Sequence, residues 1–147
     1  MIVLLIEDQE EELERAKEVL RNFGFKTAVA TNLYDALRLL KQLERKIVGI
    51  VTDLHFPQGY EPGRWNVIPP ELNDPTKPCG FAIVAEATKR GIPVVVCSNI
   101  DHHFAEYAKI TIQALEALHP IQKIPFIMDS KDWQSAAQAL GKLLSER

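Results

Sequence analysis

The sequence predicts an α/β domain built on a five-stranded parallel sheet, doubly wound, with helices on both faces. Three observations predict it. Five short apolar runs of strand character alternate with segments of helical period, in the order strand, helix, repeated five times. The first, third and fourth runs read IVLLI, IVGIV and VVVC, continuous rather than alternating. Continuous β-branched runs suit strands buried on both faces, as in a parallel sheet. Strand–helix alternation also implies parallel strands joined by right-handed crossovers. The 147 residues are the ordinary size of one domain, so a single domain over 1–147 is expected.

The elements follow in order. The first strand is Ile2–Ile6. Leu13, Ala16 and Leu20 then recur at helical spacing until Phe23–Gly24. The second strand is Thr27–Ala30. Leu33, Ala36, Leu37 and Leu40 mark the second helix, with Asn32 as its N-cap. The third strand is Ile47–Thr52. Phe81 to Arg90 forms a short helix closed by Gly91 and Pro93. The fourth strand is Pro93–Ser98. Phe104 to Leu118 carries Ala108, Ile112 and Leu115, and Pro120 ends it. The fifth strand is Pro125–Met128. The last helix starts at the N-cap Asp132 and buries Trp133, Ala136, Ala137, Leu140, Leu143 and Leu144.

One segment departs from this plan. Pro57 to Cys79 holds six of the nine prolines and two glycines, with no helical or strand period. Connections in α/β units are usually two to six residues long. The segment therefore reads as a Pro-rich insertion at about 57–79. It contains Tyr60 and Trp65, as a lid, a docking surface or a stiffened loop.

Composition narrows the function. Apolar residues make up 46% and charged residues 25%, and the net charge is −3. Such a chain buries a core and is not disordered. Lys and Arg are scattered rather than striped, which argues against direct nucleic-acid contact. No run approaches the roughly 18 apolar residues of a membrane helix. The start lacks the basic region and long apolar stretch of a signal peptide. A cytoplasmic protein is expected. Cys97, inside VVVC, reads as a buried inert thiol.

Ligands in this architecture bind at the carboxyl ends of the strands, where strand order reverses. The first strand ends in Glu7–Asp8, the third in Thr52–Asp53, the fourth in Ser98–Asn99, the fifth in Asp129–Ser130–Lys131. Three clustered carboxylates repel one another, at about 4 kcal/mol per pair for 4 Å and an effective dielectric of 20. A raised pKa, a lysine or a divalent cation must offset this. Oxygen donors alone suit Mg²⁺.

At these positions the chain resembles the receiver domains of two-component response regulators. VLLIEDQ at the start, IVTDLHFP in the middle, a Gly80-led third helix and IPVVVCSN later carry the resemblance. It implies a flavodoxin-like topology with strand order 2-1-3-4-5. It implies Mg²⁺ held by Glu7, Asp8, Asp53 and the backbone carbonyl of His55. It makes Asp53 the phosphoacceptor and Ser98 a ligand of the phosphoryl group. The partners it implies are a sensor histidine kinase or phosphotransfer protein and an effector protein, and it leaves room for a homodimer. The activity is signalling rather than enzymatic, beyond self-phosphorylation from a donor and autodephosphorylation. Only Ser145–Glu146–Arg147 follow the last helix, so a stand-alone receiver is expected.

The family lysine after strand five has two registers here. Aligning the strand and the last N-cap puts Phe126 in the aromatic switch position and Asp129 in the lysine slot. Aligning Lys131–Asp132–Trp133 keeps the lysine and shifts the strand by two. The first keeps Asp132 as N-cap and is preferred, although the long stem of Lys131 could still reach the site. An acid in the slot would make the domain a pseudo-receiver, an interaction module without phosphorylation. A third reading, a small metal-dependent hydrolase, would use His55, His102 and His103 with Asp8 or Asp53.

Overall fold

The structure, a computed structural model, describes residues 1–99, 102–118, 123–127 and 131–147, with the backbone alone at 102–107, 109 and 118. The strands are β1 (Ile2–Ile6), β2 (Lys26–Ala30), β3 (Ile47–Thr52), β4 (Val94–Cys97) and β5 (Phe126–Ile127). The helices are α1 (Glu10–Asn22), α2 (Leu33–Gln42), α3 (Gly80–Arg90), α4 (His102–Leu118) and α5 (Trp133–Ser145). All pairings are parallel and the order is β2-β1-β3-β4-β5. This is the doubly wound, flavodoxin-like sheet that the strand–helix alternation predicts.

The continuous apolar runs are explained by two cores, one on each face. Leu4, Ile6, Ile50, Val94 and Val96 face a core with Ala36, Leu40, Ile83 and Ala108 from α2, α3 and α4. Val3, Leu5, Val51, Val95 and Cys97 face the other, with Ala16, Leu20, Trp133 and Leu140 from α1 and α5. Successive side chains of a strand point to opposite faces. A strand covered on both sides therefore has no polar positions to alternate. Burial pushes the Cys97 thiol up to about 12, which leaves it protonated and unreactive at neutral pH.

The element ends differ from expectation by one or two residues. β4 stops at Cys97, and α3 begins at Gly80 rather than Phe81. The backbone explains Gly80. A Cβ there would stand 2.5 Å from the Asp53 carbonyl oxygen and 2.7 Å from Leu54 Cα. Only glycine lets α3 start against the end of β3, where its N–H donates to the Leu54 carbonyl at 2.8 Å.

The 57–79 segment is not an open loop. A short 3-10 helix, Pro70–Asn73, lies inside it, and Leu72 is buried. The Leu33 N–H donates to the Pro57 carbonyl at 3.0 Å, and the Tyr34 N–H to that of Gln58 at 2.9 Å. The Asn32 side chain accepts from the Asp35 N–H at 2.8 Å. Three amide donors of the first turn of α2, orphaned in an isolated helix, are thereby satisfied. Gly59, at φ +74, approaches Asn32 so closely that a side chain there would collide with it. The segment's ends also meet, in a bridge between Phe56 and Pro78.

Candidate functional site

Strand order reverses between β1 and β3, and the acids lie beyond their carboxyl ends. The Glu7 N–H donates to the Ala30 carbonyl at 3.1 Å, and the Asp53 N–H to that of Ile6 at 2.9 Å. The sheet ladder therefore carries one residue past each strand and sets the two carboxylates side by side. Glu7 is fully buried and Asp53 is 4% exposed. Asp8 is half-buried. Each of the three offers an oxygen within 4.8 Å of the others.

Lys131 meets this cluster. Its Nζ donates to both Glu7 oxygens, at 3.0 and 2.9 Å, and lies 3.2 Å from Asp53 Oδ2. The other Asp53 oxygen accepts from the Leu54 N–H at 2.7 Å. Burial works against the Lys131 ammonium, but Asp53 and Glu7 outweigh it and raise its pKa. Burial pushes the Glu7 carboxyl up to about 7, with the charge of Asp53 adding to the effect. Burial raises Asp8 too, and again Asp53 adds.

β4 and β5 pair Val96 with Phe126 and Cys97 with Ile127. Asp132 caps α5, accepting from the Ser135 N–H at 3.0 Å. Lys131, four residues beyond the end of β5 at Ile127, reaches the carboxylates. Asp129 and Ser130 lie outside the described residues, as do the side chains of His102 and His103.

A cavity of about 410 Å³ opens here, lined by Asp8, Asp53, His55, Ser98, Asn99 and Lys131, with Gln9, Glu12 and Pro75 at its walls. On the sequence Gln9 figures only as the end of VLLIEDQ, and Glu12 carries no role. Glu12 lies in the first turn of α1, which begins two residues after Asp8. Glu12 also accepts from the Trp133 indole N–H at 2.7 Å, which ties α1 to α5 beside Lys131. Pro75 belongs to the insertion, and nothing local places it at Asp53.

The donor set fits an oxygen-preferring divalent cation. The ligating groups are three carboxylates, with no thiol, which favours Mg²⁺ over softer metals. Glu7 is engaged by Lys131 at both oxygens and does not line the cavity, whereas Asp8 and Asp53 do.

No protein-family model and no curated protein sequence matches the chain. Solved structures do. The response-regulator receiver domain protein from Clostridium thermocellum superposes with a TM-score of 0.68 at 16% identity, over 99% of this chain and 94% of that one. The receiver domain of Francisella response regulator 1452 gives 0.66 at 17%, over 99% and 97%. The signal receiver domain of a signal transduction histidine kinase from Syntrophus aciditrophicus gives 0.65 at 19%, over 99% and 90%. Over nearly its whole length, this chain has the fold of a response-regulator receiver domain.

Proposed function

We propose that the chain is a receiver that accepts a phosphoryl group on Asp53 and signals by protein contact. The observation that carries this reading is the Lys131 ammonium held between Glu7 and Asp53 at the cavity floor. An Asp53 oxygen attacks the phosphorus of a donor. The donor's bond to phosphorus breaks, and the leaving group keeps the electron pair and takes a proton. An acyl phosphate remains. Phosphoryl transfer asks the protein mainly for position and charge. Lys131 answers the new negative charge while Glu7 keeps it oriented. The Ser98 hydroxyl, at the end of β4, donates to a second oxygen. Asp8, Asp53 and the His55 carbonyl, with Glu7 behind them, would hold Mg²⁺, which supplies further charge neutralisation when bound.

The donor is a sensor histidine kinase or phosphotransfer protein, and an effector reads the modified state. The setting is the cytoplasm; no helix among the described residues is long and apolar enough to cross a membrane. The test is intact-mass measurement after incubation with phosphoramidate and Mg²⁺. The expected result is a gain of one phosphoryl group that Asp53→Asn abolishes and Lys131→Ala slows about a hundredfold or more. No gain in the wild-type chain would overturn the reading in favour of a phosphorylation-independent interaction module.

A further inference from the structure

The insertion builds a second compartment beside the Asp53 cavity. A groove of about 520 Å³ lies between the insertion and the start of α2. Asp8 and Pro75 line both spaces, so the two are neighbouring halves of one cleft. The groove has a fixed wall, because the insertion is held to α2 by the Leu33 and Tyr34 amides and closed on itself by the Gly59 N–H to the Leu72 carbonyl at 2.8 Å.

Its chemistry is one-sided. Thr31, Tyr60 and Asn73 line it with two hydroxyls and an amide. Asp8 and Asp35 contribute carboxylates, and no Lys, Arg or His is among the lining residues. Arg38 pairs with Asp35 at 3.7 Å but does not line the groove. An incoming carboxylate would find hydroxyls and an amide but no cation in the lining, and would meet the Asp35 carboxylate, only partly offset by Arg38 at 3.7 Å.

A small donor that fills only the Asp53 cavity leaves this groove empty. We propose that the groove holds the residues flanking the phosphorylated side chain of a phosphohistidine donor, accepting uncharged or basic flanks and rejecting acidic ones. The proposal rests on the reading of Asp53 as phosphoacceptor. Tyr60 and Asn73 are then specificity residues supplied by the insertion. They touch the donor away from the reacting phosphorus.

The test compares kcat/KM for Asp53 labelling of the full chain by phosphoramidate and by three short peptides. Each peptide carries a central phosphohistidine, flanked by Gln, by Lys or by Glu. The Gln and Lys peptides should exceed the Glu peptide about fivefold, the size of one partly screened charge interaction. In the Tyr60→Phe/Asn73→Ala double variant, the ratio of the Gln peptide to phosphoramidate should fall about tenfold, as for lost hydrogen bonds. Asn73→Ser should restore part of it. Equal rates for the three flanks in the wild-type chain would overturn the subsite while leaving Asp53 as acceptor. So would an unchanged donor ratio in the double variant. Absence of labelling by phosphoramidate would overturn the acceptor reading, and the subsite with it.

Discussion

Two connections approach Asp53, and they are held by different forces. The described residues of the one ending at α5 are anchored through side chains: the Lys131 ammonium on Glu7 and Asp53, the Asp132 cap, and the Trp133 indole on Glu12. The one from Pro57 to Cys79 is anchored through main-chain hydrogen bonds and one buried leucine. Side-chain charge pairs in a buried site fail abruptly when one partner is lost. Backbone anchors are indifferent to most substitutions. Lys131, Asp132 and Trp133 should therefore be intolerant of change, and the second connection tolerant except at its glycines and Leu72.

The largest expected effect tests the first half of this contrast. Lys131→Ala at pH 8 leaves Glu7 and Asp53 facing each other without a cation and should cost about 3 to 5 kcal/mol in denaturant unfolding. Adding Glu7→Gln to that variant should recover most of the loss. A cost below about 1 kcal/mol, the range of exposed ion pairs, would show that the pair is solvated and the contrast false.

The pH dependence is next in size. The Glu7 carboxyl moves from 4.5 to about 7 through burial and then the charge of Asp53. The folded chain therefore holds this proton more tightly than the unfolded chain. That contribution is complete below about pH 4.5, declines as pH rises, and is lost above about pH 7, amounting to about 3 kcal/mol. Unfolding midpoints from pH 5 to 8 should fall in the wild-type chain and stay flatter in Glu7→Gln. A parallel fall in both would assign the dependence to another group. Mg²⁺ affinity should run the opposite way and rise with pH, because the ion needs the deprotonated carboxylates.

Gly80→Ala probes the point where the second connection returns to the sheet. Its Cβ meets backbone rather than a flexible side chain, so about 2 to 3 kcal/mol should be lost despite alanine's better helix propensity. A neutral or stabilising result would mean that α3 can slide. The smallest effects belong inside the insertion. Leu72→Ala should cost about 1.5 kcal/mol, whereas Trp65→Ser, at a side chain 45% exposed, should stay within about 0.5. If thermal unfolding shows Trp65→Ser to be the worse of the two, the aromatic and not the leucine anchors the segment.

What was legible in the sequence was whatever depends on near neighbours. The runs around Leu4, Val51 and Val95 are buried on both faces, and their lack of alternation said so. Asn32 and Asp132 cap their helices because the bonded amide is three residues away. Asp53 and Glu7 could be placed at one edge because a parallel sheet ends all its strands there. Lys131 was ambiguous because a lysine stem spans the distance between the two registers, and only the docked helix decides where its ammonium comes to rest. Pro75 beside Asp53 and the Pro70–Asn73 turn were illegible for the same reason: each depends on what the segment packs against, and its own composition is silent on that.

The bridge between Phe56 and Pro78 has a consequence for how such a chain can change over generations. The segment departs and returns at one spot, so changes of length between those two residues should leave β3 and α3 in their places. An in-frame duplication, exchange or excision there alters one wall of the cleft in a single genetic event and leaves β3 and Asp53 in place. The same geometry makes the segment a cassette: transplanted between the third strand and third helix of another protein of this architecture, it should carry its half of the cleft with it.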